Sequence, residues 1–444
     1  MNITFPGKIN INIFWFRRDL RLEDNTALNQ ALSSELPVLP LFIFDTNITD
    51  ELRNEDPRIS FIYERLFSIN NALGKEGSSV VILYGDPETL WKKLIKEYRI
   101  NAVYINKDYE PYAIQRDNSL ETLLQEKHIP LLRFRDNVIF EEKEILKADN
   151  APYTIYTPYK NKWLQKFSAI PRLNSELTTD AVRNYFQCSI PFPALKDIGF
   201  DVSSVKVKPF DLSVIKEYDK FRDIPSIDKT TYLGPHLRFG TISIRKIVRI
   251  AAGENPVFLS ELIWREFFMQ ILFNFPYVVT GNFKQKYDAI QWRNNEKEFE
   301  RWCSGETGYP IVDAGMRQLN ETGYMHNRVR MITAGFLCKH LLIDWRWGEA
   351  YFAERLLDYE LSSNNGNWQW AAGTGCDAAP YFRIFNPYSQ QKRFDPGKEY
   401  IKKWVKDVEK PSYAKPMIAH DFARLRALEL YKSAIKINRK SFLG

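Results

Sequence analysis

Across residues 9–135 the apolar positions fall into short runs rich in β-branched and aromatic residues, separated by stretches whose apolar residues recur every three or four positions. Residues 10–16, 38–44, 79–84 and 102–105 form the runs. Continuous apolar runs alternating with helix-period segments predict strands covered on both faces, and so a parallel α/β sheet of Rossmann-like type. The first run leads into Arg17-Arg18-Asp19-Leu20-Arg21-Leu22-Glu23-Asp24-Asn25 with no G-x-G-x-x-G. A dinucleotide fingerprint is therefore absent, and the carboxyl edge of the sheet serves another ligand or none. Residues 137–209 are rich in Pro, Ser and charge with weak periodicity, which predicts a long connector on the surface. From Phe210 onward the helical period dominates, most clearly over 261–272, 331–343 and 350–357. The expected organisation is an α/β domain (1–136), a linker (137–209) and an all-helical domain (210–444).

Composition sharpens this picture in three ways. A chain of 444 residues exceeds one ordinary domain and buries enough apolar surface to need no covalent staples. Its four cysteines, Cys188, Cys303, Cys338 and Cys376, have no C-x-x-C spacing, which argues against a zinc site or disulfide framework and for a reducing compartment. The first residues lack the charged and apolar regions of a leader, and eighteen apolar residues never run together, so the expectation is a soluble, cytoplasmic protein without membrane contact. A net charge of +7 permits nucleic acid through a local basic face but does not establish it. The aromatic share of 14%, with 11 Trp, exceeds ordinary packing needs and directs attention to stacking and redox roles.

Candidate chemistry concentrates in the second half. The stretch 358–387 crowds amides, acids, small residues and the indoles of Trp368 and Trp370, with Gly366 and Ala371-Ala372-Gly373 reading as room cleared around a flat, polar-edged ligand. Thr230 and Thr231 precede a Gly-Pro helical start, a setting for phosphate or for plain N-capping. Glu261 and Trp264 share a helix face. A buried carboxyl beside an indole has its pKa raised, leaving a proton for a carbonyl; an Arg–Glu pair between helices is the alternative. Five scattered histidines make a metal site or a Ser-His-Asp triad improbable, and His326 reads as an ordinary core or surface histidine.

Trp-Phe-Arg-Arg-Asp-Leu-Arg-Leu, Leu-Gly-Pro-His-Leu-Arg-Phe-Gly, Glu-Leu-Ile-Trp-Arg-Glu-Phe, Gly-Tyr-Pro-Ile-Val-Asp-Ala-Gly-Met-Arg, Met-His-Asn-Arg-Val-Arg-Met and Asn-Asn-Gly-Asn-Trp-Gln-Trp follow one another along the chain. In that order they resemble the cryptochrome/photolyase family, and most of all its class I cyclobutane pyrimidine dimer photolyases. The resemblance implies an antenna domain followed by a helical domain holding FAD, reduced in its active form, for light-driven repair of ultraviolet-damaged DNA; the alternatives are a signalling cryptochrome or a (6-4) photolyase. It implies cofactor contacts from Tyr218, Thr230, Thr231, Tyr232, Leu233, Gly234, Arg330, Asp358, Tyr359, Glu360 and Asn364, with Asn364 facing flavin N5. It implies an electron relay through Trp368, Trp345 and Trp292. Glu261, Trp264, Asn327, Met331 and Trp370 would form the dimer pocket, while Arg222, Arg265 and Arg328 would meet phosphates. Glu360 stands where related members often have Asp, and Gly234 where Ser is common. Tyr112-Ala113 replaces the Asn-Glu pair of folate-using members, which points to a deazaflavin or flavin antenna. The implied state is a monomer with no obligate protein partner.

Overall fold

The computed structural model describes residues 9–170 and 184–441, with side chains described as far as Lys436 in the last helix. The opening segment searched for a leader lies outside these residues. The chain forms two compact units: 1–144, 166–210 and 232–253 make the first, and 145–165, 211–231 and 254–444 the second.

The first unit is built on a five-stranded parallel sheet of β1 (Asn10–Phe16), β2 (Val38–Asp45), β3 (Val81–Gly85), β4 (Arg99–Asn106) and β5 (Leu131–Phe134). Their spatial order is β3-β2-β1-β4-β5, and β1 registers Trp15 with Leu41 on one side and Ile13 with Val103 on the other. Alternate residues of the central strand enter two different cores. Phe14 and Phe16 pack with Leu20 and Leu66, whereas Ile11, Ile13 and Trp15 pack with Trp91 and Leu120. Such double coverage explains the unbroken apolar run of β1. The four expected strands are present, and β5 is an additional one. At the carboxyl edge, Asn106 donates to Asp19 at 2.6 Å and the Tyr112 hydroxyl donates to Asp45 at 2.5 Å.

The second unit is helical. Asn255 caps the long helix Pro256–Asn274, with Pro256 at the first position where its missing N–H costs nothing. The helix Asn327–Gly335 passes directly into a π-helical turn, Phe336–Leu341, where a continuous α-helix was expected. Trp345–Arg355 is capped by Asp344. Leu361–Ala372 ends at Gly373, whose φ of +81° suits the residue with no Cβ.

The expected surface connector is more structured than its composition suggests. It contains the helix Tyr156–Ser168, whose Tyr156, Tyr159 and Trp163 are buried. These rings are spaced i, i+3 and i+7 and form one docking stripe. Proline and charge on the other face dilute the period and hide the stripe from a reading of composition.

Candidate active site in the helical unit

One cavity of the second unit brings together residues that lie far apart in the chain. Asn327, Arg330 and Met331 come from one face of Asn327–Gly335, and Asn364, Trp368 and Ala371 from one face of Leu361–Ala372. Asp358, Tyr359, Glu360 and Trp370 complete much of the wall. Expected cofactor residues and expected substrate residues thus line a single space.

Arg330 donates to both oxygens of Asp358, at 3.1 and 2.9 Å, and its Nε donates to the Met325 carbonyl at 2.8 Å. Three bonds fix the guanidinium beside the cavity. Asn364 donates from Nδ2 to the Glu349 carbonyl (3.0 Å) and to Glu349 Oε1 (2.8 Å). Burial raises the pKa of Glu349, with the Asn364 bond opposing it. The amide N–H groups are therefore committed to Glu349, and the amide oxygen remains able to accept. Glu360 is 5% exposed and receives bonds from Arg265 at 3.0 Å and Ser363 at 3.2 Å.

Nearby, Arg222 donates to Glu261 at 2.7 Å, and Arg328 to Asp223 at 2.6 Å. The Arg–Glu pairing left open by the sequence is thus real. Even so, the pKa of Glu261 is raised: desolvation is the largest effect, and Arg222 pulls it down only in part. The Arg265 guanidinium is turned to Glu360, and the side chain as a whole is 13% exposed. Trp264, one turn beyond Ser260, lies flat on Tyr156, with ring centroids 3.6 Å apart and planes 9° apart.

Trp368 and Trp345 are buried in one apolar cluster, and half-buried Trp292 packs against it. The Trp345 indole donates to Asn282 at 2.9 Å. Trp368 meets Phe352 and Trp302 edge-on, at 4.9 and 6.1 Å. A Cβ on Gly348 would lie 2.1 Å from the Trp368 ring, so only glycine lets the indole reach its seat.

Three expectations are corrected. Gly366 clears room for a neighbouring ring: a Cβ there would lie 2.2 Å from Phe268. Neither Thr230 nor Thr231 caps the following helix, Leu233–Arg238, whose N-cap is Tyr232 in a left-handed conformation (φ +53°) with no side-chain cap bond. His326 is neither simple core nor simple surface, because its Nδ1 caps Asn327–Gly335 by accepting from the Arg328 N–H. Burial depresses its pKa to about 4, keeping it neutral for that task. Elsewhere, Tyr218 packs edge-on against Phe258 at 5.0 Å. Two neighbours of the site escaped sequence reasoning, Glu349 and Tyr156, because each acts through a partner on another helix that no local pattern reveals.

Residues 12–178 match the family model described as DNA photolyase, and residues 258–412 the FAD binding domain of DNA photolyase. An α/β domain joined to a photolyase-type FAD-binding domain defines the class. The chain belongs to the DNA photolyase family. It is 35% identical over 425 residues to the deoxyribodipyrimidine photo-lyase of Synechococcus sp., covering 89% of this chain and 88% of that one. A bacterial class III photolyase from Agrobacterium tumefaciens superposes with a TM-score of 0.86 at 32% identity, covering 98% of this chain and all of that one. The archaeal photolyase from Sulfolobus tokodaii, solved with two FAD molecules, gives 0.85 at 34% identity, covering 96% of this chain and all of the other.

Proposed function

We propose that this protein splits cyclobutane pyrimidine dimers in ultraviolet-damaged DNA, using light and a bound FAD. The single observation behind this reading is the cavity in which Arg330, Asp358 and Asn364 face the same space as Asn327, Met331 and Trp370. The donor set fits a flavin. A fixed guanidinium–carboxylate pair and an accepting amide suit a flat ring with polar edges, and Phe352 and Trp368 supply apolar wall. Reduced FAD, when bound, would supply the light-excited electron needed to open the two ring bonds of the dimer.

The protein's own groups have the remaining tasks. Asn364 would accept a hydrogen bond from N5–H, its N–H groups being held by Glu349. Tyr218, the segment Thr230–Gly234, Tyr359 and Glu360 would bind the rest of the cofactor. Trp264 and Trp370 would stack on the extruded dimer; photolyases are among the enzymes that take their target out of the duplex. Glu261, with its raised pKa, would give a hydrogen bond to the dimer carbonyl on which negative charge gathers, a stabilisation made only as the electron arrives. Asn327 and Met331 would complete that pocket, and Trp368, Trp345 and Trp292 would pass electrons inward to regenerate the reduced cofactor. Arg222, Arg265 and Arg328 would contact phosphates, which carry no sequence information. For Arg265 this requires exchanging its bond to Glu360.

We further propose that a second chromophore would be a deazaflavin or flavin. Tyr112-Ala113 stands where folate-using members place Asn-Glu, and the Sulfolobus relative was solved with two FAD molecules. The working state would be a cytoplasmic monomer, in line with free thiols at all four cysteines. No described helix is long and apolar enough to cross a membrane.

The test mixes the reduced, flavin-loaded protein with ultraviolet-damaged oligothymidine and follows the thymine absorbance band under blue light. Light-dependent recovery is expected. No recovery would overturn the reading, and a (6-4) lesion would be the next substrate.

A further inference from the structure

We infer that Tyr156 is a positioning residue for lesion recognition, a fixed aromatic plate that holds the Trp264 indole in the orientation needed to receive an extruded base. The inference rests on the proposed role of Trp264 as a stacking wall.

The two rings stack nearly parallel, 3.6 Å between centroids and 9° between planes. Tyr156 is 6% exposed, while Trp264 remains half-buried. One face of the indole is thus covered by protein, and the side chain still has accessible surface for a ligand. The phenol cannot swing aside as a flap. Its hydroxyl donates to the Ser260 carbonyl at 2.6 Å, one turn before Trp264 on the same helix. Lys160 donates to Ser260 Oγ at 3.1 Å.

The rest of the Tyr156–Ser168 helix is pinned to the same partner helix. Tyr159 packs on Phe267 at 5.2 Å, and the Trp163 indole donates to the buried Glu266 carboxylate at 2.7 Å. Tyr156, Tyr159 and Trp163 are therefore three successive contacts of one stripe along Pro256–Asn274. Only the first lies under a residue of the proposed dimer pocket. A stacking platform that is already immobile loses no rotamer freedom when the base arrives, which is the physical gain from preorganisation. Base–aromatic stacking itself tolerates any base, so rigidity of the platform affects binding of the extruded dimer and leaves phosphate contacts untouched.

The experiment measures dissociation constants for dimer-containing and undamaged DNA, with single-turnover repair yield at saturating lesion, for flavin-loaded Tyr156→Leu, Tyr156→Phe, Trp264→Ala and the double variant. Tyr156→Leu is expected to weaken lesion binding by about tenfold, the scale of one immobilised ring. Its affinity for undamaged DNA and its yield per bound lesion should match the parent. Tyr156→Phe, which keeps the plate and loses only the tether, should restore most of the lesion affinity. The double variant should bind lesions no worse than Trp264→Ala alone, since a plate without an indole has nothing to hold. Tyr159→Leu removes a neighbouring buried ring of the same stripe and serves as the folding control.

The inference is overturned if Tyr156→Leu leaves the damaged-to-undamaged ratio unchanged while Trp264→Ala collapses it. It is equally overturned if Tyr159→Leu lowers that ratio as much as Tyr156→Leu does. Should Trp264→Ala itself leave lesion binding intact, the stacking role of Trp264 falls, and the plate falls with it.

Discussion

Both units bury charge, and they do so in opposite ways. In the first, Arg21 and Arg245 converge on Asp136, which is 1% exposed: Arg21 donates to both carboxylate oxygens at 2.7 Å and Arg245 to one at 2.8 Å. The same guanidiniums also donate to the carbonyls of Asp24 and Gly240. Burial would raise the pKa of Asp136, but the two guanidiniums more than offset it and leave it lowered. Two ion pairs of the second unit are single and partly exposed. Arg222–Glu261 has side chains 25% and 32% exposed, and Arg330–Asp358 has 28% and 20%. Here desolvation prevails, and the pKa of Glu261 rises despite its partner. A closed, many-partnered charge can only support a fold. A charge with one partner and an open side can exchange that partner for a ligand.

The largest effect that tests this contrast is the loss of Asp136. Asp136→Ala takes the counter-ion from buried Arg21 and one of two from buried Arg245, which keeps Asp24, so destabilisation of about 3–5 kcal/mol is expected. Denaturant unfolding of the holoprotein should show it, with repair per folded molecule unchanged. A loss under 1 kcal/mol would mean that the cluster is no more structural than the pairs around the cavity.

On the cavity side, Glu261→Ala should spare folding and lower the yield of dimer splitting, at the modest end of the roughly hundredfold cost of removing one transition-state hydrogen bond. Lesion affinity should change far less. Equal losses in affinity and in yield would make Glu261 a binding group only.

How far these roles could be read from sequence follows the same division. The strands of the sheet were legible because strands buried on both faces must be apolar throughout; β5 was missed because four residues, Leu131–Phe134, all half-buried, are too few for a period. The helical unit showed its residue types but not their pairings. Asp223 and Arg328 meet across 105 positions, and no local spacing records that. The same blindness misplaced Gly366. A small residue in a crowded helix signals something close by, and sequence does not distinguish a ligand from the ring of Phe268. The π-turn at Phe336–Leu341 was illegible because its apolar spacing imitates an ordinary helix.

Gly348 separates packing from electron transfer on the redox side. Gly348→Ala would place a Cβ within 2.1 Å of the Trp368 indole and 2.6 Å of Leu337, so the ring must shift. Overpacking of this kind costs about 1–3 kcal/mol. Photoreduction of the oxidised cofactor should slow, while enzyme reduced chemically beforehand should repair normally. Slower repair by the prereduced enzyme as well would show that the displaced ring disturbs the cofactor and not the relay alone.

The smallest effect asked for is the most direct probe of an exchangeable pair. Arg222 lowers the pKa of Glu261 through charge and a hydrogen bond, and desolvation raises it. Replacing Arg222 by Gln keeps a donor and removes the charge, so the Glu261 pKa must rise further. If the protonated carboxyl is the form that assists the dimer carbonyl, repair declines as pH rises through that pKa. In Arg222→Gln the alkaline decline should therefore move to higher pH, modestly for a pair this exposed. The same variant should bind DNA with a salt dependence shallower by about one counterion, the signature of one lost phosphate contact. A repair rate that instead rises with pH through that pKa, with the rise moved to higher pH in Arg222→Gln, would mean that the carboxylate is the working form and that Arg222 stabilises the very charge the reaction uses.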